Sequence, residues 1–219
     1  QNGCGKSTVI KLLTGLYNNY SGRILLNGRD IKSFSAAETK AYFAVVYQDY
    51  GKYQLSVREE LQLGNEDLAD PEIAALLEQT GLAQKVGSLP LGADTPLGKL
   101  EPGSADLSEG QWQRLALARS FGRQAKLLVL DEPAAALDAL AESRICSTIR
   151  DIGARRCTTT LYVTHRLAAA RSADEIIVMK DGRIIEQGTH AALLAGDSYY
   201  AQMFNTQRKW YLRRQVAEA

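Results

Sequence analysis

Apolar positions follow two rhythms along this chain. Some come as short unbroken runs, such as Phe43-Ala44-Val45-Val46-Tyr47 and Leu127-Leu128-Val129-Leu130. Such runs predict strands covered on both faces. Others recur at helical spacing. The run Val9-Ile10-Lys11-Leu12-Leu13 predicts a helix reaching Leu16, and Leu137, Leu140, Ile145, Ile149 and Ile152 predict the buried stripe of another. Residues 22–28 predict a strand ending in an Asn27-Gly28 turn, and Ser35 with Glu38 spells a capping box opening a short helix. From about Ser56 to Gly122 the pattern is helical, with Asp70 as an N-cap, Pro71 as first helical residue and Gly81 as a stop. A loop rich in Gly and Pro over 89–106 precedes the last of these helices. Then come a strand over 159–163 and a hairpin of 176–179 and 183–185 around Asp181-Gly182. The order implies an α/β fold: a mostly parallel sheet interrupted by a helical insertion between Gln48 and Leu127, with a small antiparallel part.

Composition narrows the class. The chain has 219 residues, 45% of them hydrophobic, enough for a substantial core. Its net charge of +1 gives no electrostatic reason to expect a nucleic-acid partner. No stretch approaches the roughly 20 apolar residues of a membrane span, and there is no signal-peptide pattern. Three scattered cysteines, Cys4, Cys146 and Cys157, form neither a disulfide framework nor a zinc pattern, which favours a reducing compartment.

The candidate chemistry begins at the first residues. Gln1-Asn2-Gly3-Cys4-Gly5-Lys6-Ser7-Thr8 supplies glycines that turn backbone N–H groups inward, a lysine, and two hydroxyls at a helix mouth. That is a polyphosphate cradle: the helix N-terminus adds partial positive charge, Lys6 a full one, and Ser7 a hydroxyl for Mg²⁺. The match to G-x-x-x-x-G-K-[ST] lacks its first glycine, and the buried strand that should lead into such a loop is absent from the sequence. That strand is worth on the order of 10 kcal/mol, so the chain reads as a fragment of a longer protein.

Further on, the run 127–130 delivers Asp131 and Glu132 to a strand's carboxyl end, where parallel sheets bind ligands. Asp131 suits Mg²⁺, and Glu132 suits polarising a water aimed at a terminal phosphate. An Asp-Glu pair by itself equally serves as a helix N-cap. His165 follows the next strand and either assists a developing phosphate charge or caps the helix after it. His190, at a helix start without a catalytic neighbour, reads as structural. Ser108 and Gln111 have capping-box spacing at the head of an amphipathic helix through Phe121.

Taken in order, the phosphate loop, Gln48, Leu-Ser-Glu-Gly-Gln at 107–111, Leu-Leu-Val-Leu-Asp-Glu at 127–132, Ala-Leu-Asp at 136–138 and Val-Thr-His at 163–165 resemble the ATPase domains of ATP-binding cassette (ABC) transporters. The resemblance covers essentially the whole chain. Residues 55–60 after Gln48, and 173–190, are similar to exporter sequences. It implies a P-loop NTPase (RecA-like) core over 1–49 and 123–219, with a helical signature subdomain over 50–122. It implies that Asn2, Gly3, Cys4, Gly5, Lys6, Ser7 and Thr8 cradle ATP, and that Ser7, Gln48 and Asp131 serve Mg²⁺. Glu132 would be the general base, and His165 the γ-phosphate switch residue. Asp138 would lie on a loop crossing a dimer interface. Ser108, Gly110 and Gln111 would contact ATP held by a second ATPase domain, identical or not. A transmembrane domain encoded upstream would place the chain at the cytoplasmic face of the cell membrane. ABC ATPases that act on DNA or ribosomes usually carry coiled-coil insertions or a second cassette, and neither is found in this sequence. A regulatory subunit without turnover would not need Glu132 and His165.

Glu109 departs from the family, which usually has glycine there. A carboxylate about 4 Å from a phosphate would cost roughly 4 kcal/mol per charge pair, so Glu109 is expected to point away from nucleotide and to serve its helix dipole. Cys4, beside Lys6 at a helix start, is either a reactive thiol, whose alkylation blocks hydrolysis and is slowed by bound ATP, or a small space-filling residue. Among Tyr42, Tyr47, Tyr50 and Tyr53, the last two are expected to face the transport domain. The basic, aromatic stretch 207–214 reads as a frayed solvated helix, with weak membrane-surface contact as the lesser alternative.

Overall fold

The computed structural model describes residues 4–99 and 102–217. Asn2 and Gly3, expected in the phosphate cradle, lie outside the described residues. The chain divides into two compact units, Ile10–Val163 and Gln1–Val9 with Thr164–Ala219.

Helix α1 (Lys6–Leu13) starts the described chain, and Ile10 on it is fully buried in the larger unit. It stops before Leu16, because Gly15 enters the left-handed region at φ +75° and Tyr17 N–H bonds back to the Lys11 carbonyl at 3.1 Å. The predicted strand over 22–28 is realised as a tight hairpin of β1 (Leu25–Leu26) and β2 (Arg29–Asp30), with Asn27 and Gly28 both at positive φ. Helix α2 (Ala36–Tyr42) opens on the expected Ser35–Glu38 capping box. Strand β3 (Phe43–Val46) follows directly.

Next come α3 (Val57–Gln62), α4 (Asp70–Gln79), α5 (Ala83–Gly87) and α6 (Glu109–Gly122). Asp70 is not the cap of α4 but its first residue. Ala69 holds the cap position, with its N–H bonded to the Glu72 carboxylate at 3.0 Å, while the Asp70 carboxylate is engaged by Arg58. Gly81 ends the helix at φ +69°, as expected. Helix α6 is not amphipathic. It packs on α3 and α4 and also on β3, so Trp112, Gln113, Leu115, Leu117 and Phe121 are all buried, and neighbours on several sides leave no broad solvent face.

Strand β4 (Leu127–Asp131), helix α7 (Ala139–Arg156) and strand β5 (Thr159–Val163) complete the larger unit. The sheet order is β3-β4-β5, all parallel, pairing Val46 with Leu130 and Asp131 with Val163. Successive β4 residues serve two cores. Val129 packs with Ile10, Leu26, Ile31 and Phe43, whereas Leu128 and Leu130 pack with residues of α3, α4, α6 and α7. Burying such side chains contributes about 1.5–3 kcal/mol each, and this two-sided burial explains the unbroken apolar run. Leu140 was expected in the α7 stripe but is 85% exposed. It lies five residues before Ile145, about 140° around the helix, and Leu137 is buried just ahead of the helix.

The smaller unit contains α8 (Leu167–Ala170), the antiparallel pair β6 (Ile176–Lys180) and β7 (Arg183–Gly188), then α9 (His190–Leu194) and α10 (Tyr199–Ala217). Asp181 and Gly182 turn the hairpin at positive φ. His190 is structural, as expected: its Nδ1 lies 2.9 Å from the Tyr200 hydroxyl and its ring packs 5.0 Å from Phe204. The stretch 207–214 lies on α10.

Candidate functional site

In the smaller unit, the chain enters α1 through Gly5 at φ +96°, a backbone state that only glycine adopts without strain. The Gly182 N–H, at the β6–β7 turn, bonds to the Cys4 carbonyl at 3.2 Å, and the Gly5 carbonyl accepts the first helical bond from Val9 at 3.0 Å. Lys6 Nζ lies 3.5 Å from Cys4 Sγ, with Cys4 buried and Ser7 and Thr8 exposed on the first turn. The loop is therefore anchored through the Cys4 carbonyl, with Ser7 and Thr8 exposed after it. His165 is exposed just after the end of β5. Its carbonyl accepts from Gln207 Nε2 at 3.1 Å, and the Leu167 N–H donates to Gln207 Oε1 at 2.9 Å. One amide on α10 thus holds both sides of the histidine turn. The sequence reading missed Gln207, since nothing local distinguishes it from its polar neighbours.

In the larger unit, Asp131 ends β4 at 4% exposure. Glu132 follows in the left-handed region at φ 51°, uncommon for a residue with a Cβ. Its N–H donates to the Val163 carbonyl at 2.9 Å, extending the β4–β5 ladder by one bond. The turn beyond it is held by Gln113, which is buried on α6. Its amide donates to the Glu132 carbonyl at 3.1 Å and accepts from the Ala136 N–H at 2.9 Å. Gln113 also escaped the sequence reading. Its signal was a polar residue at helical spacing from Ala116, Leu117 and Ser120, all buried on the same helix.

Ser108 caps α6 as predicted. Its Oγ accepts from the Gln111 N–H at 3.3 Å, and Gln111 Oε1 accepts from the Ser108 N–H at 2.9 Å. Ser108 and Glu109 are exposed. Gly110 lies so close to the turn after β4 that an added Cβ would stand 2.8 Å from the Ala136 carbonyl oxygen. Glycine here permits α6 to abut the turn that carries Glu132. Arg114 Nε donates to the Gly110 carbonyl at 3.3 Å and its Nη1 to Gly81 at 2.7 Å, and burial pushes its pKa down.

Asp138 caps α7, accepting from the Leu140 and Ala141 N–H groups at 2.9 Å each. Those backbone bonds, Ala141 first, hold its carboxyl below the usual range, with Arg114 adding a smaller electrostatic share. Gln48 is exposed shortly after β3. Of the four tyrosines, Tyr42 and Tyr47 pack on the core around Ile10, and the Tyr47 hydroxyl lies 3.0 Å from Thr14 Oγ1. Tyr53 is 49% exposed, whereas Tyr50 is half-buried and donates from its hydroxyl to Glu109. Within the larger unit the structure thus draws Gln113, Glu132, Ala136 and Gly110 into one cluster, and it turns Glu109 toward the segment that follows Gln48.

Comparison with known proteins bears on this arrangement. The chain is 38% identical over 206 residues to the mitochondrial iron-sulfur clusters transporter ATM1 of Saccharomyces cerevisiae, covering 94% of this chain and 29% of that protein. It is 37% identical over 206 residues to the ATP-dependent lipid A-core flippase of Nitrosococcus oceani, covering 94% and 34%. A solved bacterial Atm1-family ABC exporter with ATP bound superposes with a TM-score of 0.86 at 34% identity, over 94% of this chain and 35% of that one. The chain spans about a third of the length of these relatives. Among the described residues, no helix is long and apolar enough to cross a membrane. The ABC transporter family model matches residues 1–135, a stretch running from the glycine-lysine loop through the carboxylates at the end of β4 to the turn that Gln113 secures; the chain belongs to the ABC transporter family.

Proposed function

We propose that this chain is the nucleotide-binding domain of an exporter, hydrolysing ATP to drive a substrate across a membrane. The observation that carries this reading is the end of β4, where a buried Asp131 and a left-handed Glu132 are locked by the β5 ladder and by Gln113 on α6. In this reading Asn2, Gly3, Cys4, Gly5, Lys6, Ser7 and Thr8 hold the phosphates. Glu132 takes the proton of the water that attacks the γ-phosphorus, as the bond to the β–γ bridging oxygen breaks and ADP leaves. His165 donates to the charge that develops on the transferred phosphoryl group. Ser7, Gln48 and Asp131 offer only oxygen donors, the chemistry that suits Mg²⁺, and they are the residues that would hold it. When bound, Mg²⁺ neutralises charge on the β- and γ-phosphate oxygens.

Ser108, Gly110 and Gln111 would meet ATP held by a second ATPase domain, with Asp138 on the loop between the two domains. The exposure of Ser108 at a helix N-terminus supports this assignment. A transmembrane domain linked to this chain would receive the resulting motion near Gln48 and Tyr53, at the cytoplasmic face of the membrane, with residues 50–122 as the moving helical subdomain. The test is Glu132→Gln in the intact transporter. Steady-state hydrolysis should fall by about 100-fold or more while ATP binding persists. Undiminished turnover would remove Glu132 from its role.

A further inference from the structure

The glutamate between the two residues assigned to the neighbour's ATP is held by an arrangement the proposed reaction does not require. Glu109 is the first residue of α6, between Ser108 and Gly110. Its Oε1 accepts the Tyr50 hydroxyl at 2.8 Å, and its Oε2 accepts Lys52 Nζ at 2.5 Å. The same hydroxyl lies 3.1 Å from the Glu109 backbone carbonyl, so both the side chain and the main chain of the residue are pinned.

These partners sit on a fastened segment. Arg119, further along α6, donates to the Glu60 carboxylate at 2.7 Å, reaches the Gly51 carbonyl at 3.5 Å and lies 5.2 Å over the Tyr53 ring. Glu60 is 1% exposed and also accepts the Tyr53 N–H at 2.8 Å. The four residues 50–53 are therefore tied to α6 at both ends, and Lys52 is presented to Glu109 in a fixed place. Both side chains stay exposed, Lys52 at 40% and Glu109 at 62%, so the pair adds little stability and acts by placing the carboxylate. Lys52 first and Tyr50 second hold the Glu109 carboxyl below its usual range, while burial and Glu109 raise the Tyr50 phenol.

We propose that Lys52 and Tyr50 form a neutralising clamp that keeps the Glu109 carboxylate turned from the nucleotide face of Ser108 and Gly110, making Glu109 compatible with triphosphate binding. The clamp rests on the reading that Ser108 and Gly110 meet a neighbouring domain's ATP. Glu109 and Lys52 are then positioning residues, acting on nucleotide affinity without touching the reacting atoms. Family members with glycine at this place need no such device, and in this chain the segment after Gln48 supplies it.

The experiment is a kinetic double-mutant cycle in the intact transporter. Lys52→Ala should raise KM for ATP about 10-fold with kcat within about twofold, because an unneutralised carboxylate opposes the arriving phosphates. Adding Glu109→Gly to Lys52→Ala should return KM to within about twofold of wild type. Tyr50→Phe should give a smaller KM rise that Glu109→Gly also reverses. A purely structural role would lower the melting temperature without this reversal. A KM indifferent to Lys52→Ala, or one that stays high after Glu109→Gly, would overturn the clamp while the ATPase reading stands. Absence of MgATP hydrolysis in the wild type would overturn that reading, and the clamp with it.

Discussion

The end of β4 and the start of α6 lie against each other, yet they are secured by opposite means. Asp131 and Glu132 owe their places to groups far away in sequence: a ladder bond to Val163, burial in the sheet, and the Gln113 amide from α6. Ser108 is secured by its own neighbours, through a reciprocal pair of bonds with Gln111 three residues on. The first arrangement holds a left-handed Glu132 beside a buried Asp131. The second leaves a hydroxyl exposed on a helix end. In the proposed reading, long-range bonding suits a group that keeps its geometry through a reaction, and local capping suits one offered to a partner.

The sharpest way to break this contrast is Gln113→Ala. It removes one amide serving both the Glu132 carbonyl and the Ala136 N–H. We expect a loss of about 2 kcal/mol of stability, read by urea unfolding with tryptophan fluorescence. A loss below about 0.5 kcal/mol would mean the turn holds itself. Next in size is Ser108→Ala, which should cost about 1 kcal/mol, seen as faster hydrogen exchange confined to the first turn of α6, with Ser108→Gly costing only a few tenths. Faster exchange reaching β4 would show that the two regions are not separately held.

The smallest effect comes from comparing two capping boxes. Helix α2 uses Ser35 with Glu38, whereas α6 uses Ser108 with neutral Gln111. The Arg29 guanidinium first, and the Ser35 N–H second, lower the Glu38 carboxyl from 4.5 to about 2. Its folded pKa lies below its unfolded one, so its contribution is complete above pH 4.5 and is lost as pH falls toward about 2. In an acid titration followed by hydrogen exchange on a Glu109→Gly background, which removes the other lowered carboxyl at the start of α6, the start of α2 should loosen over that window and the start of α6 should not. Glu38→Gln should abolish the difference.

Much of this site could be read from the residue order, for physical reasons. Capping boxes at Ser35 and Ser108 form within three residues, and the Asn27-Gly28 and Asp181-Gly182 turns require no distant partner. Pattern reading failed where packing decided. Leu140 kept the right residue type for the α7 stripe but the wrong angular phase once Asp138 fixed where the helix begins. Asp70 became the first residue of α4, with Ala69 at the cap position and the Asp70 carboxylate engaged by Arg58. Helix α6 looked one-sided because each neighbour that covers it comes from elsewhere in the chain.

The sequence by itself determined the order of strands and helices, the glycine-lysine loop and the acidic pair at a strand's end. Each follows from local backbone preference, capping chemistry or an uninterrupted apolar run. Only the tertiary structure decided that Gln113 braces Glu132, that Gln207 holds the His165 turn, and that Tyr50 and Lys52 take the Glu109 carboxylate. Those bonds join residues from 19 to 59 positions apart. No periodicity or propensity spans such separations, and the partners meet only when helices and strands pack.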